Sequence, residues 1–377
     1  MAAALAQSLM EEFADATGIS GNTTPRRYLW TDAFAVCNFL GLVRETDDDR
    51  FLRFAQTVVN QVHHILGRHR DDDQRRGWIS GLSEEEGHRH PTRGGLRIGK
   101  PLNERQPHEL ANPQLEWEQD GQYFHYLTKW MHALYRMGKE TGDSRYQRWA
   151  VELAATAHHA FTYEARPGEP KRMVWKMSID LRRSLVSSMG QHDPLDGLVT
   201  CLELQTAEEF HAQDSGDLTA AIADMTAMCA QTNLATDDPL GIGGLLDDAT
   251  RLAQLIFHHG VVHRDLLHQI LVDARLSFDA FSQSTLLGYS AERRLAFREL
   301  GLSIGINGLQ PLRYSVAEDS DLAAAVDNLL PYQPLGQQIS NFWSDPAHRL
   351  NSNWMDHRDI NSVMLATSLS PKSYLQF

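Results

Sequence analysis

Apolar residues recur along most of this chain with the spacing of helices. Phe51, Phe54, Ala55, Val58, Val59, Val62, Ile65 and Leu66 follow the i, i+3, i+4, i+7 pattern of one buried helical face. Trp149, Ala150, Leu153, Ala154, Ala157 and Phe161 do the same in the segment from Tyr146. Sustained alternation of β-branched residues is absent and no Asn-Gly turn joins matched flanks, so the pattern predicts an all-α protein.

The two segments also match each other. Glu45-Thr46, Asp48, Arg50-Phe51 and His63-His64 align at a constant offset of 95 with Glu140-Thr141, Asp143, Arg145-Tyr146 and His158-His159, and Tyr28 falls on Tyr123. One fixed offset, with a capping acid before each amphipathic helix, predicts a duplicated helical hairpin.

Extended along the chain, this reading predicts twelve helices of two kinds. Amphipathic segments are expected at 3–16, 50–67, 144–162, 217–230, 264–282 and 320–330. More apolar ones, rich in small or aromatic residues, are expected at 28–42, 121–138, 194–206, 240–258, 291–306 and 356–368. The kinds alternate, and a ring of six hairpins accommodates both: amphipathic helices outside facing water, apolar helices inside and buried all round. That makes residues 1–377 a single domain, an (α/α)6 toroid with long rim connections at 68–118 and 163–193. Trp78, Ile79, Leu82, Leu96 and Ile98 predict that the first connection packs, as a lid or wall over the ring's mouth.

Composition narrows the function. Forty-nine acids against 35 bases give a net charge of −14, which argues against nucleic acid and an acidic membrane surface as partners. No run approaches the ~18 apolar residues of a membrane span. The first fifteen residues lack the basic start of a signal peptide. Cys37, Cys201 and Cys229 are widely spaced and odd in number, which fits a reducing, cytoplasmic setting.

The chemistry is expected where inner helices begin. Gly190-Gln191-His192-Asp193-Pro194-Leu195-Asp196 offers Asp193 as a helix cap before a first-turn proline. Neither His192 nor Asp196 is needed for that. Asp120 holds a similar cap position before Tyr123 and His125, whereas Asp32 lies inside an apolar helix, where a carboxylate must be paired, hydrogen-bonded or protonated. Trp354, His357 and Arg358 cluster at the last inner helix. His258-His259 with His263, and Glu84-Glu85-Glu86 with His88 and His90, lack a complete ligand set, so neither a metal nor a cofactor is expected.

Trp30-Thr31-Asp32-Ala33-Phe34, followed by Glu45-Thr46, Asp48 and Arg50-Phe51, resembles the first hairpin of unsaturated glucuronyl hydrolase-like proteins of the six-hairpin (α/α)6 superfamily. N-acylglucosamine 2-epimerase-like proteins share that architecture and about that length. The resemblance implies the toroid fold over most of the chain and a carbohydrate-active enzyme with its site in the central cavity.

A glycoside hydrolase needs one carboxyl as acid and one as base, about 6.5–9.5 Å apart when the reaction inverts. The candidate catalytic residues are Asp32, Asp120, Asp193, Asp196 and His192. Trp30, Tyr123, His125, Trp175, Lys176, Arg182, Trp354, His357 and Arg358 are the candidate substrate contacts, for a small-molecule or oligosaccharide substrate. Two alternatives stay open: a sugar epimerase or isomerase exchanging protons through His125, His192 and His357, and a non-enzymatic helical scaffold that binds a ligand or a protein.

Overall fold

A computed structural model describes residues 2–110, 112–206, 218–230 and 232–376. The chain opens with α1 (Ala2–Ala16), and its contacts divide it into two compact units, Asp15–Gln231 and Met1–Ala14 with Thr232–Phe377. The first unit contains α2 (Leu29–Thr46), α3 (Arg50–Leu66), α4 (Phe124–Thr141), α5 (Ser144–Phe161), α6 (Asp193–Gln205) and α7 (Thr219–Cys229). The second continues with α8 (Pro239–His259), α9 (Arg264–Ser282), α10 (Ala296–Asn307) and α11 (Leu309–Ser315). It also holds α12 (Ser320–Asp327), α13 (Gln333–Ser344) and α14 (Arg358–Leu369), and a short turn of helix, Lys372–Leu375, follows.

Every expected segment contains a helix; residue 217, the first of one of them, lies outside the described residues. In the first unit α4 packs between α2 and α6, and α3, α5 and α7 pack on α2, α4 and α6 respectively. The two kinds of helix differ as the pattern predicts. All residues of α2 from Leu29 to Leu42 are buried, as are those of α6 from Asp193 to Leu204. Helix α3 buries one stripe, Phe51, Ala55, Val58, Val59, Val62, His63 and Leu66, where each large apolar side chain contributes about 1.5–3 kcal/mol.

The offset of 95 is realised to the residue at the inner helices: α2 spans Leu29–Thr46 and α4 spans Phe124–Thr141. Tyr28 and Tyr123 are their N-caps, both in extended backbone. Asp47 and Gly142 close them, both left-handed, with φ of 56° and 66°. At the outer helices the match is looser. Asp143 is the N-cap of α5 and accepts from the Arg145 N–H at 3.0 Å, whereas the N-cap of α3 is Asp49 and the residue before it, Asp48, accepts from the Arg50 N–H at 2.8 Å.

In the second unit α10 packs against α8, α13 and α14, and α9 packs on α8. Here the structure departs from the expected alternation. The segment expected at 320–330 forms α12, which packs on α9, while α13, outside the twelve expected segments, packs on α10 and α14. Pro334 disguises α13, since a proline in the first turn starts a helix that the same residue would break further in.

Both long connections pack within the first unit. Trp78, Leu96 and Ile98 are buried in the 68–118 segment. Gln122–Tyr123 pairs antiparallel with Lys176–Met177, joining the start of α4 to the 163–193 segment. The two connections are also stapled to each other: Arg75 bridges Asp73, Glu104 and Asp180, and Glu104 accepts from the Ile179 N–H at 2.5 Å. No helix among the described residues is long and apolar enough to cross a membrane.

Candidate active site

Helix α4 carries His125, Lys129 and His132 at i, i+4 and i+7, hence on one face. Facing them, α6 carries Asp193, Asp196 and Glu203. The result is a row of three acid–base pairs between two buried helices. The deepest is fully buried: His132 Nδ1 lies 2.9 Å from both oxygens of Glu203. In the middle pair the Lys129 ammonium donates to Asp196 at 2.9 Å, and the Thr128 hydroxyl donates to the other Asp196 oxygen at 2.5 Å.

The outermost pair is different. His125 Nδ1 stands 3.5 Å from Asp193 Oδ1, and a third of the His125 side chain is exposed. Asp193 Oδ2 is buried and has no hydrogen-bond partner among the described residues. Its expected capping role is not what the geometry contains, because the helix begins at Asp193 itself with His192 as N-cap. Gly190 lets the carboxylate lie close: a Cβ at residue 190 would come within 2.5 Å of it, so one of the two would have to shift.

Aromatic rings surround His125. Trp30, Tyr123 and Tyr126 lie 6.1, 5.7 and 4.9 Å from it between ring centres. Trp30 Nε1 and the Tyr123 hydroxyl are buried and, like Asp193 Oδ2, unpartnered among the described residues. Burial pushes the Tyr123 phenol upward, so it remains a donor at neutral pH. An unsatisfied buried polar group costs about 1–3 kcal/mol. Three such groups lie on residues at or around one histidine.

The other carboxylates singled out in the sequence are occupied. Asp32 ion-pairs with buried Arg27 at 3.2 Å and accepts from the Tyr28 N–H at 2.9 Å, reaching back to the cap of its own helix. Asp120, fully buried, is held by Arg97 at 2.9 Å, by Arg70 at 3.3 Å and by the Gly99 N–H at 3.0 Å, fastening the 68–118 connection to the start of α4.

Lys176 is buried as well. Its ammonium donates to the Glu116 and Gln119 carbonyls and meets the Glu116 carboxylate at 2.9 Å, and burial lowers its pKa. Trp175 stands 5.1 Å from Tyr123 and donates to the Ser188 hydroxyl at 2.9 Å. His192 is half-buried and Arg182 exposed.

The remaining candidates belong to the second unit. Trp354 is buried on Trp343 at 5.5 Å, whereas His357 is exposed, and Arg358 ion-pairs with Glu12 at 3.2 Å. No group of three or more His, Cys, Asp or Glu side chains among the described residues is arranged to hold a metal ion.

Sequence reasoning passed over Lys129, His132 and Glu203. The available signal was a basic stripe on one apolar helix matched by an acidic stripe on the next. It also passed over Trp117, which is 57% exposed and stacked on Trp175.

No protein-family model and no curated protein matches this chain. Solved structures do resemble it. The GH76A α-1,6-mannanase from Salegentibacter sp. HEL1_6 has a TM-score of 0.55 at 11% identity, over 98% of this chain and 99% of that one. The GH76 α-mannanase BT2949 from Bacteroides thetaiotaomicron has a TM-score of 0.57 at 8% identity, over 100% and 98%. A sugar epimerase from a ruminal bacterium has a TM-score of 0.51 at 11% identity, over 92% and 88%. The chain has the all-α (α/α)6 toroid fold that the alternating helices predict.

Proposed function

We propose that this protein is a carbohydrate-active enzyme, a glycoside hydrolase whose proton-transferring carboxyl is Asp193. The observation that carries the reading is the bare Asp193 oxygen beside His125, in a cluster where Trp30 and Tyr123 also present unpartnered polar atoms. Sugars suit such a place, having hydroxyls for the orphaned groups and apolar ring faces for the aromatics. Asp196, one turn along α6 and neutralised by Lys129, is the second carboxylate of the pair. The Salegentibacter mannanase, whose fold this chain shares, binds α-1,6-mannotriose and α-1,6-mannotetraose in variants inactivated at two adjacent aspartates. An oligosaccharide is accordingly the proposed substrate here.

A second reading rests on His125. With Asp193 at 3.5 Å, it is placed to exchange a proton at a sugar carbon, as epimerisation requires. Incubation in deuterated water with α-1,6-mannooligosaccharides and β-1,4-glucooligosaccharides of one to four units separates the two. Hydrolysis releases shorter sugars without carbon-bound deuterium; epimerisation keeps chain length and labels the carbon next to the carbonyl. In either case Asp193→Asn is expected to lower turnover by about 10²–10⁴-fold, as removal of a general acid or base does, with the melting transition retained. Wild-type turnover in Asp193→Asn, or no turnover of any sugar by the wild type, would sink the proposal.

A further inference from the structure

A large aromatic ring left in water usually has a binding role, and Trp117 is such a ring. It lies stacked on Trp175, with ring centres 5.2 Å apart and planes 23° from parallel. The segments that carry the two rings are anchored. The residue before Trp117, Glu116, is held by Arg105 and Lys176, each at 2.9 Å. The Trp175 indole N–H donates to the Ser188 hydroxyl, and the Trp175 carbonyl accepts from the Phe124 N–H at 3.1 Å, at the first residue of α4. A ring stacked on an anchored neighbour loses less freedom on meeting a ligand than an isolated one.

The stack is continuous with the site around His125. Tyr123 is buried between the two, 5.1 Å from Trp175 and 5.7 Å from His125. Trp117 also meets Tyr123 edge-on, with ring centres 6.4 Å apart, so the exposed indole stands two ring contacts from His125, with Tyr123 between them.

We propose that Trp117, backed by Trp175, is a separate sugar-stacking position that binds an outer unit of an oligosaccharide whose inner unit lies at His125. The inference rests on the carbohydrate reading above and adds a residue that sets chain-length preference. The apolar face of a pyranose covers the exposed indole, and the chain then runs over Trp175 towards α4.

The test is the affinity of wild type, Trp117→Ala and Trp117→Tyr for the two oligosaccharide series, unit by unit, by calorimetry. Trp117→Ala is expected to bind three- and four-unit sugars of the preferred series about tenfold more weakly, the scale of one aromatic contact, and single sugars unchanged. Trp117→Tyr should retain most of the affinity. Loss that is equal for every length, or no loss while wild type binds and turns over the sugars, overturns this position and leaves the carbohydrate reading standing. Absence of binding by the wild type at any length overturns both.

Discussion

The hairpins α2–α3 and α4–α5 share one frame, yet at matching positions the first has Trp30, Phe34 and Cys37 where the second has His125, Lys129 and His132. The stripe that is apolar on α2 is basic on α4. What makes the basic version tolerable is the next inner helix, α6, which supplies Asp193, Asp196 and Glu203 to meet it. A charge is admitted between buried helices only with a partner, because the cost of an uncompensated one exceeds what surrounding packing returns. Two of the three pairs are closed at 2.9 Å, and the outermost is open. Of the three pairs, the outermost is the one whose carboxylate keeps an oxygen without a hydrogen-bond partner among the described residues.

The comparison breaks most visibly if the second hairpin is given the first one's residue. Lys129→Phe reproduces Phe34 in the shared frame but leaves Asp196 buried without its cation. The expected loss is about 3–5 kcal/mol in urea unfolding. Lys129→Phe combined with Asp196→Leu should recover most of it, since replacing both partners removes the stranded charge. A single variant as stable as wild type would mean that the pair does not govern this interface.

A smaller effect separates the matching histidines on the outer helices. His158 pairs with Asp224 at 2.7 Å. His63 is buried, accepts from the Trp130 indole N–H at 3.2 Å, and has its pKa lowered by burial to about 3. The folded protein therefore keeps His63 neutral down to that pH, whereas the unfolded chain protonates it below its ordinary 6.5. The stability this contributes is full above pH 6.5 and is lost as pH falls towards 3, at about 1.4 kcal/mol per pH unit. His63→Gln keeps an acceptor for Trp130 without the titration, so its unfolding free energy should fall less steeply with acid. An unchanged slope would assign the acid sensitivity elsewhere.

Local features were legible in the sequence. The repeat, the acids Asp48 and Asp143 that receive first-turn N–H groups and the split into two kinds of helix depend on residues within a few positions of one another, where spacing carries the information. Which carboxylates are neutralised was not legible, because the neutralising cations are distant in sequence. Arg97 and Arg70 reach Asp120 from a connection without periodicity, and Lys129 reaches Asp196 from 67 residues away. Of Asp32, Asp120, Asp193 and Asp196, only Asp193 keeps a carboxylate oxygen without a hydrogen-bond partner among the described residues, and nothing in its sequence context says so. Arg27, beside Asp32 both in sequence and in space, is a neutralising partner within local reach.

The finest difference between the hairpins lies at the ends of their inner helices. Asp47 and Gly142 occupy the same place in the repeat and the same left-handed backbone, and their N–H groups bond to Val43 and Gly138 at 2.9 Å. Glycine adopts that backbone without a Cβ penalty, whereas aspartate is among the residues that tolerate it at some cost. A Cβ at Gly142 would meet nothing within 4 Å, so a substitution there tests backbone strain alone. Asp47→Gly should therefore stabilise the protein by about 0.5–1 kcal/mol, and Gly142→Asp should destabilise it by a similar amount. Exchanging the two residues together should come out near neutral, the sites being separate and additive. Thermal melts of the three variants decide it: an Asp47→Gly melt below wild type would mean that the Asp47 side chain contributes more at that end than the backbone gives up.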